Sequence, residues 1–280
     1  MTTMGMRSAM ALVFGVLGGV GGAHAAFWGA VSPQTQRADS GWQVAYAHVF
    51  QQYTEYAPTG SSFPYGPVVD SENGGLQGGS LGYRHESAHL GYGGTVTDTE
   101  GATRYQGYTQ DPLTATYTPL TAQTRNNLGD LNMWMNYAFA PSALPNLAIL
   151  PGVELGDDHW DRFTSDGDHE TYNSFYGAGR LVVEHAMGPV VLALSAAVGR
   201  TIHPTVTATL AHHTFVLGAQ DWLQYRVRLT YNITRAASVF ASYTETRYRF
   251  GQSATANGVY EPASLTRQGL AEAGVLIRGW

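Results

Sequence analysis

Residues Asp221–Tyr231 read DWLQYRVRLTY, and the alternation within them decides the fold. In an extended chain Leu223, Tyr225, Val227, Leu229 and Tyr231 share one face, while Gln224, Arg226, Arg228 and Thr230 share the other. The first face is apolar enough for lipid, and the second carries two arginines. Both requirements meet in a strand that crosses a membrane as part of a closed barrel, with lipid on one side and a polar lumen on the other.

The pattern recurs along the chain. WQVAYAHVFQ sets Trp42, Val44, Tyr46 and Phe50 against Gln43, Ala45, Ala47 and Gln51, although His48 falls on the apolar face as a local conflict. GDLNMWMNYAF opposes Leu131, Met133, Met135 and Tyr137 to Asp130, Asn132 and Asn136. PVVLALSAAVG opposes Val190, Leu192, Leu194 and Val198 to smaller residues. Ten such segments are expected, near 41–54, 75–84, 87–97, 127–139, 146–158, 172–186, 189–201, 219–231, 236–249 and 268–280. Long links (55–74, 98–126, 159–171, 202–218, 250–267) alternate with short ones. Such barrels have short turns at one mouth, long loops at the other and an even strand number. The expectation is an all-β, antiparallel up-and-down transmembrane barrel of ten strands, with eight or twelve as alternatives.

Composition agrees. Charged residues make up 13% of the 280, against roughly 25% in soluble domains. Apolar residues reach only 44%, while Gly (34) and Tyr (17) are abundant. The net charge of −6 and the lack of any basic run exclude nucleic acid as a natural partner. The sequence has no lysine, and no cysteine for disulfides, thiolate metal sites or a thiol nucleophile. At the N-terminus, Arg7 precedes an apolar run from about Ala9 to Val20 and then AHA, the pattern of a secretory signal peptide spanning 1–25. A short periplasmic lead (26–40) and the barrel (41–280) follow. No later segment has the length of a spanning helix, so a membrane-bound mature chain must cross as strands.

The signal peptide, the alternating strands and the closing AEAGVLIRGW (Ala271–Trp280) resemble a Gram-negative outer-membrane β-barrel protein. GATRYQGYTQ, WDR and YEPASLTR resemble a broad group of small proteobacterial barrels. The resemblance implies an outer-membrane location and lipid and lipopolysaccharide as surroundings. It further implies that Trp280 in the last strand is the signal read by the barrel assembly machinery. Glu272 and Arg278 depart from the apolar alternation of such closing strands. Either a bulge shifts the register, or Arg278 snorkels to the interface.

With polar faces turned inward, the lumen would hold Arg84, Asp130, Glu154, Arg180, Glu184, Arg226, Arg228, Glu245 and Arg247, joined by His89 and Asn132. Arginine forks bridging carboxylates across so narrow a bore form a plug rather than a pore. In the outer link, Asp157, Asp158, His159, Asp161, Asp166, Asp168, His169 and Glu170 are candidate cation ligands without EF-hand spacing. Ten strands also suit the omptin proteases, and the size of the chain is similar to theirs. That resemblance would use Asp98, Glu100 and His203, with Thr201 standing where a second acid should orient the imidazole. The expected function is a non-enzymatic, monomeric envelope barrel without a cofactor: a narrow channel, or a surface binding and structural protein. The alternative is the omptin-like protease.

Overall fold

In the computed structural model the described residues are 28–58, 63–110, 116–164, 167–256 and 259–278. The expected signal peptide, Asp166 and Trp280 lie outside the described residues. Ten strands run in chain order: β1 Gly41–Tyr56, β2 Val68–Glu86, β3 Leu90–Gln110, β4 Tyr117–Tyr137 and β5 Leu147–Phe163; then β6 His169–Met187, β7 Val190–Ala208, β8 in two segments (His213–Val216 and Gly218–Asn232), β9 Ala237–Gly251 and β10 Ala263–Ile277. Each pairs antiparallel with its neighbour in sequence, and β10 returns to β1 from Ile277↔Trp42 to Ala263↔Tyr56. Among the described residues the ring closes through the spanning segments, as a bilayer demands, while above them His213–Val216 and the outer part of β4 pair on one side only. The sheet is a closed, transmembrane, ten-strand barrel.

The outward face carries the apolar band. Trp42, Val44, Tyr46 and Phe50 are exposed on β1; so are Leu131, Met133, Met135 and Tyr137 on β4, and Tyr225, Val227, Leu229 and Tyr231 on β8. His48 sits in this band with its ring edge-on to Phe50 at 4.4 Å. It covers Gly75, where a Cβ would lie 3.1 Å from the imidazole. The glycine makes room for the ring, which resolves the conflict at that position.

The strands are longer than the band requires. Crossing takes about 9–11 residues, whereas β3 and β4 have 21 each. The excess projects at the long-loop mouth. At the other mouth the turns are tight. Gly188 (φ +61°) and Pro189 link Met187 to Val190, a two-residue hairpin in which only glycine takes the first position without strain.

A short helix, α1 (Pro33–Ala38), stops the short-turn mouth. Ser32 caps it by accepting from the Thr35 N–H at 3.2 Å, and Pro33 opens its first turn. Val31 packs with Ala138, Ala148, Leu150 and Val182, and Ala38 with Ala186 and Val191. At Gly41 (φ +139°) the chain turns from this plug into β1, where a Cβ would strike the Ile277 carbonyl.

The closing strand needs no bulge. Val275 and Ile277 face outward, while Leu276 and Glu272 face inward. Glu272 accepts from Ser80 at 2.7 Å and Ser242 at 2.8 Å. Arg278 sits at the short-turn mouth. Its guanidinium donates to the carbonyls of Arg37 (2.7 Å), Thr234 (3.2 Å) and Arg235 (3.1 Å), tying β10 to the plug and to the β8–β9 turn.

Candidate functional site

The bore is filled at successive levels, and its side chains come from the inward-facing positions of the strands. At the short-turn floor Arg84 reaches Asp39, at the end of α1, at 2.5 Å. Glu184 and Glu86 are buried beside them. Above, Arg180 donates to Glu154 at 3.2 Å, and Asn132 donates to both Glu154 and Tyr176. Arg84 and Arg180 both lie over the Trp134 ring, at 5.3 and 4.9 Å. Arg228 donates to Gln43 at 3.0 Å and stacks 3.7 Å over Phe240, while Arg226 donates to Thr244 at 2.8 Å. Asp130 and Asp158 are register partners facing a cavity of about 60 Å³.

An aromatic and aliphatic layer walls that cavity. Val49, Leu76, Leu128, Trp160, Tyr176, Trp222 and Tyr248 belong to one buried cluster, with Tyr176 stacked on Trp222 at 4.2 Å.

Beyond this layer, above the apolar band, lies a cup that the alternation of the spanning segments did not reveal. Arg162, 2% exposed, donates from Nε to Glu72 and from Nη1 to Glu170, both at 2.7 Å. Its guanidinium lies over the Tyr53 and Tyr105 rings at 5.5 and 5.3 Å. Glu55, Asp70 and Glu261 complete the cup, with no arginine of their own. Tyr53 donates to Glu55 at 2.6 Å and Tyr172 to Glu261 at 2.8 Å; the two hydroxyls are 3.2 Å apart. With both phenol protons directed to carboxyls, the two hydroxyl oxygens are neighbours that bring the Glu55 and Glu261 pairs together at the centre of the cup.

The cup's carboxyls divide by environment. Burial pushes Glu55, Asp70 and Glu261 above the ordinary carboxylate range, with neighbouring acids adding to the rise. Burial also acts to raise Glu72, but Arg162, Thr103, Thr124 and Asn126 together outweigh it and hold the group below its usual value. Chemically this is a proton-holding cluster around one fixed cation. The residues lay in links read as loops. The clue was that inward parity continues past the band, from Gln51 to Tyr53 and Glu55, and from Asp158 to Trp160 and Arg162.

Of the nine lumen residues expected from the sequence, Arg84, Asp130, Glu154, Arg180, Glu184, Arg226 and Arg228 point inward. Glu245 and Arg247 do not. They share the outward face of β9 with Tyr243 and pair with each other at 2.5 Å. Their strand alternates as expected, but the assignment of its faces was reversed, because Tyr243 and Val239 belong to lipid. His89 lies in the β2–β3 turn and bonds the Ala138 carbonyl.

The cation-ligand candidates disperse. Asp157 and Asp158 are adjacent on β5 and take opposite faces. His159 and His169 stand outside the barrel on either side of Asp161, at 3.1 and 3.0 Å. Asp168 accepts from Thr209 and the Leu210 N–H. Among the described residues no three His, Cys, Asp or Glu side chains are arranged to hold a metal. The protease trio also fails to converge. Asp98 and Glu100 face outward on β3, Glu100 pairing with Arg125 at 3.2 Å. His203 faces outward on β7, four strands round the ring, in a bulge where its φ is +48°.

No protein-family model and no curated protein matches the sequence. Among solved structures, the outer-membrane protease OmpT from Escherichia coli superposes with a TM-score of 0.51 over 85% of this chain and 96% of that one, at 11% identity. The fold is that of an outer-membrane β-barrel. The β domain of the Bordetella autotransporter BrkA also matches, with a TM-score of 0.39, 11% identity, and coverage of 84% and 99%. So does the Yersinia pestis attachment invasion locus protein Ail, at 0.33, 10%, 85% and 98%. At these identities the likeness concerns architecture alone.

Proposed function

We propose that this chain is a non-enzymatic outer-membrane protein of a Gram-negative bacterium, a closed barrel whose work is done outside the bilayer. In this reading the signal peptide directs export, the short-turn mouth faces the periplasm, and β10 with Trp280 is read by the assembly machinery. The observation that carries it is the filled bore. From α1 through the Glu154–Arg180 level to the aromatic layer, side chains meet across the lumen, and the cavity between them is about 60 Å³. That volume holds a few water molecules. Porins, which pass solutes, use about 16–18 strands. The barrel instead serves as a rigid mount for the cup and loops beyond the band, where a surface binding or structural role resides. The protease reading through Asp98, Glu100 and His203 has no support, since those side chains do not face a common space.

Liposome swelling tests the proposal. Vesicles carrying the inserted protein should swell in iso-osmotic glycerol and arabinose no faster than protein-free vesicles. Size-dependent swelling would instead mean an open pore and would remove the proposal.

A further inference from the structure

Two carboxyls line the cavity of about 60 Å³ in the bore, Asp130 on β4 and Asp158 on β5. They are direct register partners and lie within hydrogen-bonding reach of each other. Like charges set opposite on one face of an antiparallel pair repel. The charges around them do not relieve this. Arg226 acts on Asp130 as a cation, but Glu154 and Glu272 act in the opposite sense. Arg180 is taken up by Glu154 at 3.2 Å, and Glu272 is held by the Ser80 and Ser242 hydroxyls. The cavity is short of positive charge.

Neutral oxygens surround the same space. Gln224 and Gln268 donate their amide nitrogens to the hydroxyls of Thr246 (3.2 Å) and Tyr248 (3.3 Å), which leaves each carbonyl oxygen available. Thr99 lines the cavity and is 2% exposed, and its hydroxyl has no hydrogen-bond partner among the described residues. The same is true of the Nε1–H of Trp222, 1% exposed. Buried polar groups are rarely left unpaired, because each then bears its full desolvation cost. Two of them at one cavity point to something that the cavity holds.

Two carboxylates with amide and hydroxyl oxygens form the donor set of a hard divalent cation. Two acids suffice because the other ligands are neutral. Calcium accepts about six to eight oxygens in flexible geometry, water among them. A volume of about 60 Å³ has room for such an ion with a water beside it.

We propose that Asp130 and Asp158 bind a calcium-type divalent cation inside the bore, with Thr99 and the Gln224 and Gln268 carbonyls as neutral ligands. Trp222 Nε1–H steadies a carboxylate or a water beside the ion. The ion ties β3, β4 and β5 to β8 and β10 across the lumen and stiffens the barrel beneath the cup.

The test uses the full barrel, refolded in detergent micelles after chelation, with terbium as a luminescent stand-in for calcium. Trp160 and Trp222 line the cavity, so an ion held there emits on tryptophan excitation. The wild type should give saturable emission that calcium displaces. Asp130→Asn/Asp158→Asn should weaken terbium binding by about a hundredfold, the product of two charged ligands. Thr99→Val, which keeps both acids, should weaken it about fivefold. Asp157→Asn, next along β5 but on the outer face, should leave it unchanged. Variants are compared as barrels that show the heat-modifiable gel shift; if the double variant does not fold, Thr99→Val carries the test. No saturable emission from the folded wild type would mean that the two carboxyls merely share a proton, and would overturn the site. Unchanged affinity in the double variant or in Thr99→Val, or an equal loss in Asp157→Asn, would do the same.

Discussion

Arg162→Met is the perturbation whose consequence the cup fixes most closely. Among the described residues its guanidinium is the one arginine beside Glu55, Asp70, Glu72, Glu170 and Glu261, and it makes two charge-assisted bonds of 2.7 Å. Each such bond contributes about 1.5–3 kcal/mol, and removing one partner of a buried ion pair costs about 3–5 kcal/mol. A loss near 4 kcal/mol is therefore expected where the carboxylates are ionised. The pH dependence has a definite sign. Glu72 is held below its ordinary value, so its stabilising contribution is complete above that value and is lost as pH falls through the lowered one. The variant lacks this contribution, so its deficit is full above the ordinary carboxylate range and closes only below it, as pH falls through the lowered value at which the wild-type Glu72 protonates. The assay is urea unfolding in detergent micelles across that range, followed by tryptophan fluorescence and by the heat-modifiable gel shift. Adding Glu72→Gln to Arg162→Met should recover part of the loss, because one stranded charge is gone. A deficit independent of pH, or no recovery in the double variant, would refute the reasoning.

Three further outcomes are expected. Asp70→Asn should stabilise the barrel above neutral pH and have little effect under acid conditions. Burial raises this carboxyl, so its contribution is favourable at low pH and is lost as pH rises through the raised value; parallel urea curves at the two extremes check it. Arg84→Met should free the plug from its Asp39 anchor, seen as faster proteolysis within residues 28–40 of a barrel that still shows the gel shift. Gly274→Val should slow or block folding into vesicles. Its Cβ would collide with the Val44 carbonyl across the β10–β1 seam, where closure is completed; the fraction of heat-modifiable protein over time measures this.

The spanning part of the fold was legible because lipid imposes a strict period. Across the band, every second residue must be apolar, and Trp42–Phe50 or Leu223–Tyr231 show it openly. The short-turn ends of the strands fall within a few residues of expectation for the same reason. The long-loop ends do not. Above the band the outward face meets water, so Gln106, Thr121 and Gln123 follow no apolar alternation, and β3 and β4 continue through a region that looks like loop. The cup was hidden by this effect, although Glu55, Glu72 and Arg162 keep inward parity with the strands below. Glu245 and Arg247 failed in the opposite direction: charge alone suggested the lumen, but outside the band a charge is equally at home in water. The plug was not legible, because Pro33–Ala38 is too short to show a helical period; what identifies it is its burial against Ala186 and Val191.

The central claim is that ten strands close round a bore that does not conduct. Single-channel recording in planar bilayers tests it most directly, with the wild type and with Arg226→Ala/Arg228→Ala measured side by side. The wild type should insert without stable open steps, because the aromatic layer and the Glu154–Arg180 level remain, and the variant should show at most brief, small openings. Large, long-lived steps from the wild type would contradict the account.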